Sequence, residues 1–380
     1  MSILDGCRVI DLADGKGLLC SRLLADMGAE VIRIQKPGEE VSQVYANFGK
    51  RCISLNIENQ AGRRLLMQFV PQVDVIVENF SPGYLDSLGL GYPALSRINP
   101  RLILASITGF GQTGPDRLKK SSDLVASASG GQLYVCGEPG QPPLKPYGSQ
   151  TYFTACLFAA NGILLALWRR HTSGKGQQID ISIHECVAAT LDHVLVRYFA
   201  EGEVAQRQGS LYWNKAFRIF PCRDGHILLS LFQNWNTLVE WLASEGMAAD
   251  LSDRKWMDPN ERENNIDHII DVLEKWTLSH TVNELLEIGQ LMRFPWANVA
   301  SISEVVSSPQ LNERGYFVEA FDPDSGKRYK FPGSPVKMSA SPWEVSSGIP
   351  RTGEYNREFY LSVLGLTEKE FGRLIEEGVI

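Results

Sequence analysis

The chain opens on a strand–helix–strand pattern, and that pattern limits the fold more than any other feature. "CRVIDLA" (7–13) is an apolar run rich in β-branched residues and reads as a strand. "GLLCSRLLADMGAE" (17–30) follows with apolar residues at helical spacing, and "VIRIQKPG" (31–38) is a second strand stopped by Pro37 and Gly38. Such a βαβ unit puts its two strands parallel. "VDVIVENF" (73–80) and "LILASITGFG" (102–111) add further near-continuous apolar strands, and "QAGRRLLMQFV" (60–70) is a helix ahead of them. Strands apolar on both faces, alternating with helices, predict an α/β fold with a covered parallel sheet.

The texture changes near residue 200. "AFRIFPCRDGHILLSLF" (216–232) holds two β-rich runs around a turn, and polar helix-forming stretches follow from about 234 to 290. This predicts a smaller α+β domain over 205–318. From about 325 the chain is Pro- and Ser-rich and reads as extended, and "TEKEFGRLIEEGVI" (367–380) reads as a helix capped by Thr367.

Charge and composition exclude several classes. Lys and Arg total 37 against 44 Asp and Glu, so the net charge is −7. That balance argues against non-specific nucleic-acid binding and against a membrane surface. The N-terminus lacks the basic-then-apolar order of a secretion signal. The longest apolar stretch, "YFTACLFAANGILLALW" (152–168), contains Thr154, Asn161 and Gly162 and reads as a buried helix. The seven cysteines show no CxxC spacing, which fits reduced thiols in a cytoplasmic protein. The six scattered histidines suggest no metal site.

A βαβ start invites a dinucleotide reading. "DGKGLLCS" offers Gly15 and Gly17 but no third glycine, and Gln35 and Lys36 stand where an acid would hold a ribose. A basic residue there leaves NADP open. The better reading of Gly15 and Gly17 is a tight turn into a helix.

Motifs in order carry a stronger signal. "LLADMGAEVIRIQKPG", "NFGKRCISLNI", "VDVIVENFSPG", "INPRLILASITGFGQTGP" and "GILLALWRRHTSGKGQQIDISIHE" resemble the family III CoA-transferases. "FPWANV", "SSPQLNERGYF" and the segment 351–380 continue the likeness, which spans nearly the whole chain. The resemblance implies a Rossmann-like large domain with a parallel sheet, formed by both chain ends over 1–195 and 325–380. It also implies a small domain between them and an interlocked dimer. Coenzyme A and acyl-CoA enter as substrates, with a carboxylic acid as acceptor and no permanent cofactor.

By the same resemblance Lys36 meets the nucleotide end of CoA, Leu55 packs on the adenine, and Asn79 and Phe80 line the site. Lys120 contacts a phosphate. CoA carries several phosphates, so cations near backbone N–H groups suit it. Lys36 supplies charge where the family has arginine, without the planar fork.

The sequence departs from the family at its nucleophile. Family transferases use an aspartate at the start of the helix that carries "GILLAL"; the matching position holds Tyr152, and Glu138 is the nearest upstream acid. A phenol with a reference pKa near 10 is neutral at pH 7 and does not replace a carboxylate in anhydride chemistry. Cys156 is a weak substitute inside an apolar run. Asp123, in the pair Ser122–Asp123, reads first as a helix-start acid and second as a general base. Three readings remain: the nucleophile-lacking subunit of a heteromeric CoA-transferase such as the benzylsuccinate type, beside a homologous Asp-bearing chain; a stand-alone acyl-CoA enzyme of dehydratase, lyase or racemase-like chemistry, as a homodimer; or a non-catalytic CoA-binding protein.

Overall fold

The computed structural model describes residues 2–40, 43–212, 214–322, 326–343, 348 and 350–380. The chain divides into two compact units. The large unit comprises 1–133, 145–204 and 309–380; the small unit comprises 134–144 and 205–308.

The large unit is built on a six-stranded parallel sheet. Its strands are β1 (Arg8–Asp11), β2 (Glu30–Gln35), β3 (Arg51–Ser54), β4 (Val75–Glu78), β5 (Ile103–Thr108) and β6 (Gln178–Ser182). Their order is β3-β2-β1-β4-β5-β6, every pair parallel. This is the doubly wound order, which reverses direction at the β1/β4 boundary. Side chains alternate between faces, as the two-residue period requires. Ile10, Ile32, Ile53, Ile76 and Leu104 join one core cluster; Val9, Val31, Val75, Val77 and Ile103 join another.

Helices cover both faces. The first cluster is closed by the helix Gln60–Phe69 and by Phe359, Tyr360, Phe371 and Leu374 from the C-terminal end. The second is closed by Leu18–Asp26 and by the 24-residue helix Gln150–Ser173. Among the described residues all six strands come from the first 182, so the C-terminal end joins the large unit by packing, not by adding a strand to this sheet. The helix Glu368–Glu376 does carry the expected Thr367 cap, as a full capping box with Glu370.

One feature lay outside the sequence expectations. The strands β10 (Phe317–Asp322) and β11 (Lys327–Pro332) pair as an antiparallel hairpin within the large unit. The expected boundary at 318 falls inside that hairpin. Phe331 then lies against Tyr45 and Phe48, at ring-centroid distances of 6.0 and 4.6 Å. Within the small unit, β7 (Phe217–Pro221), β8 (His226–Ser230) and β9 (Ala297–Asn298) form an antiparallel sheet. Its core is rich in tryptophan: Trp235, Trp241, Trp256, Trp276 and Trp296 are all buried.

The Gln60–Phe69 helix starts close under the chain that leaves β3. An added Cβ at Gly62 would lie 2.0 Å from the Asn56 carbonyl oxygen. Gly62→Ala should therefore push the Leu55–Glu58 segment outward and cost about 1–3 kcal/mol. Circular dichroism melts should show a Tm lower by several degrees; an unchanged Tm would mean the backbone there yields freely.

Candidate functional site

Open parallel sheets bind ligands beyond the carboxyl ends of their strands, at the point where strand order reverses. Here the chain segments leaving β1, β2, β3 and β4 enclose a cleft of about 260 Å³ at that point. Its walls are Leu12 and Asp14 after β1, Gln35 and Lys36 at the end of β2, Leu55–Glu58 after β3, and Phe80 and Tyr84 after β4. Leu55 is buried and gives an apolar floor, and the Phe80 and Tyr84 rings sit 4.8 Å apart. Three of the five residues singled out from sequence, Lys36, Leu55 and Phe80, thus line one cavity.

Asn79 and Lys120 are placed differently. Asn79 is buried, and its side chain is occupied by Asp14: Oδ1 accepts from the Asp14 N–H at 3.0 Å and Nδ2 donates to the Asp14 carboxylate. It shapes the loop after β1 rather than lining the cavity. Lys120 is exposed on the loop between β5 and the helix Asp123–Ser129, away from the cavity lining.

The loop after β1 is the tight turn that Gly15 and Gly17 suggested. The N–H groups of Gly17 and Leu18 both donate to the Asp14 carbonyl, at 2.9 and 3.1 Å. Gly17 has no room for a side chain, since a Cβ would lie 2.7 Å from that of Ala13. On its other side the loop meets the long helix: the Cys156 thiol donates to the Lys16 carbonyl at 3.3 Å. The cleft and the start of the long helix therefore share one loop.

No acid occupies the first turn of that helix. Tyr152 is half-buried against the second core cluster, and burial together with Asp123 raises its phenol above its ordinary value. Burial pushes the Cys156 thiol up to about 12, so it is an inert neutral thiol. Asp123 is the first residue of its own helix, capped by Ser122, but it also reaches across to the long helix. Its Oδ1 accepts from the Thr151 hydroxyl at 2.7 Å and from the Thr151 N–H at 3.1 Å, and its Oδ2 pairs with Lys145 at 2.8 Å. Burial opposes its charge, yet Lys145 and Thr151 outweigh burial and hold the carboxyl below the usual range. The Asp123 carboxylate beside the helix start is therefore ionised and heavily hydrogen-bonded.

Beneath the cleft lies a buried charge cluster that sequence reasoning missed. Asp11, at the end of β1, accepts from Lys50 Nζ at 2.8 Å, from Ser21 at 2.7 Å and from the Ala13 N–H at 3.0 Å. Arg33 approaches Oδ1, the oxygen that accepts from Ala13, at 3.4 Å. Lys50 also donates to the Leu18 carbonyl and to Asn47, so all three ammonium protons are used. At the end of β4, Glu78 accepts the Phe80 N–H at 2.8 Å and so fixes the main chain of the residue whose ring walls the cleft. Burial pushes its carboxyl up to about 7.

The comparisons with known proteins agree with this architecture. Residues 4–356 match CoA-transferase family III. The chain belongs to CoA-transferase family III. Among its relatives, this family III chain is 31% identical over 400 residues to the succinyl-CoA:(R)-benzylsuccinate CoA-transferase subunit BbsE of Thauera aromatica, covering 98% of this chain and 97% of that protein. It is 32% identical over 397 residues to the succinyl-CoA–D-citramalate CoA-transferase of Chloroflexus aurantiacus, covering 99% and 98%. A solved CaiB/BaiF family protein from Brucella suis superimposes with a TM-score of 0.85 at 27% identity, over 95% of this chain and 99% of that one. The family III fold expected from the motifs is thus the fold found.

Proposed function

We propose that the protein binds acyl-CoA in the cleft at the β1/β4 boundary and serves as the acid-lacking subunit of a CoA-transferase. A homologous chain bearing the aspartate completes the enzyme. The observation that carries this reading is the first turn of the helix Gln150–Ser173, which holds no carboxylate although it adjoins the loop that walls the cleft. Asp123 does not fill the gap, because Thr151 and Lys145 engage both of its oxygens. The name of the Thauera relative describes a subunit of a CoA-transferase, which suits a two-chain enzyme.

An unpartnered apolar surface supports a second chain. Leu157, Leu165 and Trp168 of the long helix are exposed, as are Val196 and Phe199 of the helix Asp192–Glu201. The long helix is apolar and long enough to cross a membrane, but its other face is embedded in the second core cluster. Covering the exposed face with a homologous chain removes apolar surface from water.

The binding half of the reading is tested by calorimetry. The protein should bind CoA, bind NADPH far less, and bind CoA more weakly as salt is added. Phe80→Ala should weaken CoA by about 1–3 kcal/mol, the range for a base stacked on an aromatic ring. NADPH binding in place of CoA, or a CoA affinity unaltered by Phe80→Ala, would remove the cleft from this role.

A further inference from the structure

We propose that Glu58 controls how strongly the cleft selects the 3′-phosphate of CoA, because its carboxylate occupies Lys36 in the phosphate's place. The inference rests on the reading of this cleft as the CoA site. Lys36 Nζ lies 2.9 Å from Glu58 Oε2, and the two side chains come from different strand ends to meet in the wall of the cavity. The Glu58 carboxylate is anchored on its other side as well, since Oε1 accepts from the Tyr84 hydroxyl at 3.1 Å. Its backbone is fixed by Asn56, whose Oδ1 accepts the Glu58 N–H at 3.0 Å. Arg63, on the following helix, donates to the Glu58 carbonyl at 2.7 Å.

The remaining charges of the cavity point the same way. The lining carries three carboxylates, Asp14, Glu39 and Glu58, and two cations, Lys36 and Arg33. Arg33 is turned to Asp11 and to the Ala13 carbonyl. Glu39 reaches back toward the Lys36 N–H, at 3.4 Å. A dianionic phosphate can therefore reach Lys36 by displacing Glu58, and it then sits beside both Glu58 and Glu39. One anion replaces another, so the net gain is small. The adenine and ribose are neutral and meet no such opposition. The pair itself is half exposed, with side-chain accessibilities of 51% and 55%, so the exchange is reversible and not a lock.

The test is calorimetry of the full chain with CoA and with dephospho-CoA. Wild type should bind the two with similar affinity. In Glu58→Gln the amide oxygen still accepts from Tyr84 but no longer competes for Lys36. The ratio of CoA to dephospho-CoA affinity should then rise roughly two- to fivefold, the range of one exposed ion pair. The gain should vanish in the double variant Lys36→Ala/Glu58→Gln and shrink at high salt. Binding of both thiols by wild type with an unaltered ratio in Glu58→Gln would overturn the role of Glu58 and leave the cleft as the CoA site. A tenfold or greater preference of wild type for CoA would overturn it too. Binding of neither thiol would overturn both.

Discussion

Lys50→Met should destabilise the large unit by about 3–5 kcal/mol, the cost of leaving one buried charge without its partner. Lys50 and Asp11 are both fully shielded from solvent, and Lys50 provides the shortest of the contacts that cations make to that carboxylate. Burial opposes ionisation of Asp11, but Lys50 and Arg33 outweigh it and hold the carboxyl below the usual range. A carboxylate with a depressed folded pKa adds stability above its unfolded value, about 4, and that stability is lost as pH falls through the folded value. Wild type should accordingly lose stability in acid, and Lys50→Met should show a smaller acid-dependent loss because less depression remains. Hydrogen exchange of the β1–β3 amides reads this out in the large unit alone. Removing both charges with Asp11→Leu/Lys50→Met should recover part of the loss. A change under 1 kcal/mol in the single variant would show that Arg33 and Ser21 suffice for Asp11.

The purified chain alone should exchange CoA between carboxylic acids at background rate. Anhydride chemistry needs a carboxylate that attacks the thioester carbonyl, expels the CoA thiolate and is later released by it. Tyr152 has no carboxylate, and its phenol is raised above its ordinary value, so almost none is ionised at pH 7. Treatment with acyl-CoA followed by hydroxylamine should modify no acid of this chain. Mixed with a homologous Asp-bearing chain, the protein should form a heteromer with transferase activity, in which mass spectrometry finds only the partner trapped. Tyr152→Asp need not restore activity, because stabilising groups around the reacting carbonyl must also be in place. Rapid transfer by the isolated chain with an adduct on Asp123 or Cys156 would refute the acid-lacking reading outright.

Much of the fold was readable because β1, β2, β4 and β5 are buried on both faces and appear as apolar runs. β3 escaped notice for the opposite reason: "RCIS" is four residues long, at the edge of the sheet, with Arg51 exposed. The hairpin strand "KRYKFP" is exposed almost throughout, so no apolar periodicity marks it. At the site, Lys36, Leu55 and Phe80 were visible because each follows a strand inside a motif. Glu58, Tyr84 and the Asp14–Asn79 clamp were not, since their roles come from strand ends that meet only in three dimensions. Lys50 shows this most sharply. In "FGKRC" it looks like any surface lysine, and only the fold encloses it.

The split large unit also bears on how the chain is made. The six strands are complete by residue 182, while the segment 355–380 that covers one face of the sheet follows the entire small unit. At ribosomal speeds of roughly 5–20 residues per second, that face stays only partly covered, by the helix Gln60–Phe69, for on the order of ten seconds or more. During this interval a nascent chain presents Ile32, Ile53, Phe69 and Ile76 without the Phe359, Tyr360 and Phe371 side chains that later seal them. A stalled or prematurely terminated transcript would yield a sheet with one sticky face, the kind of substrate that chaperones capture and that self-associates when they are scarce.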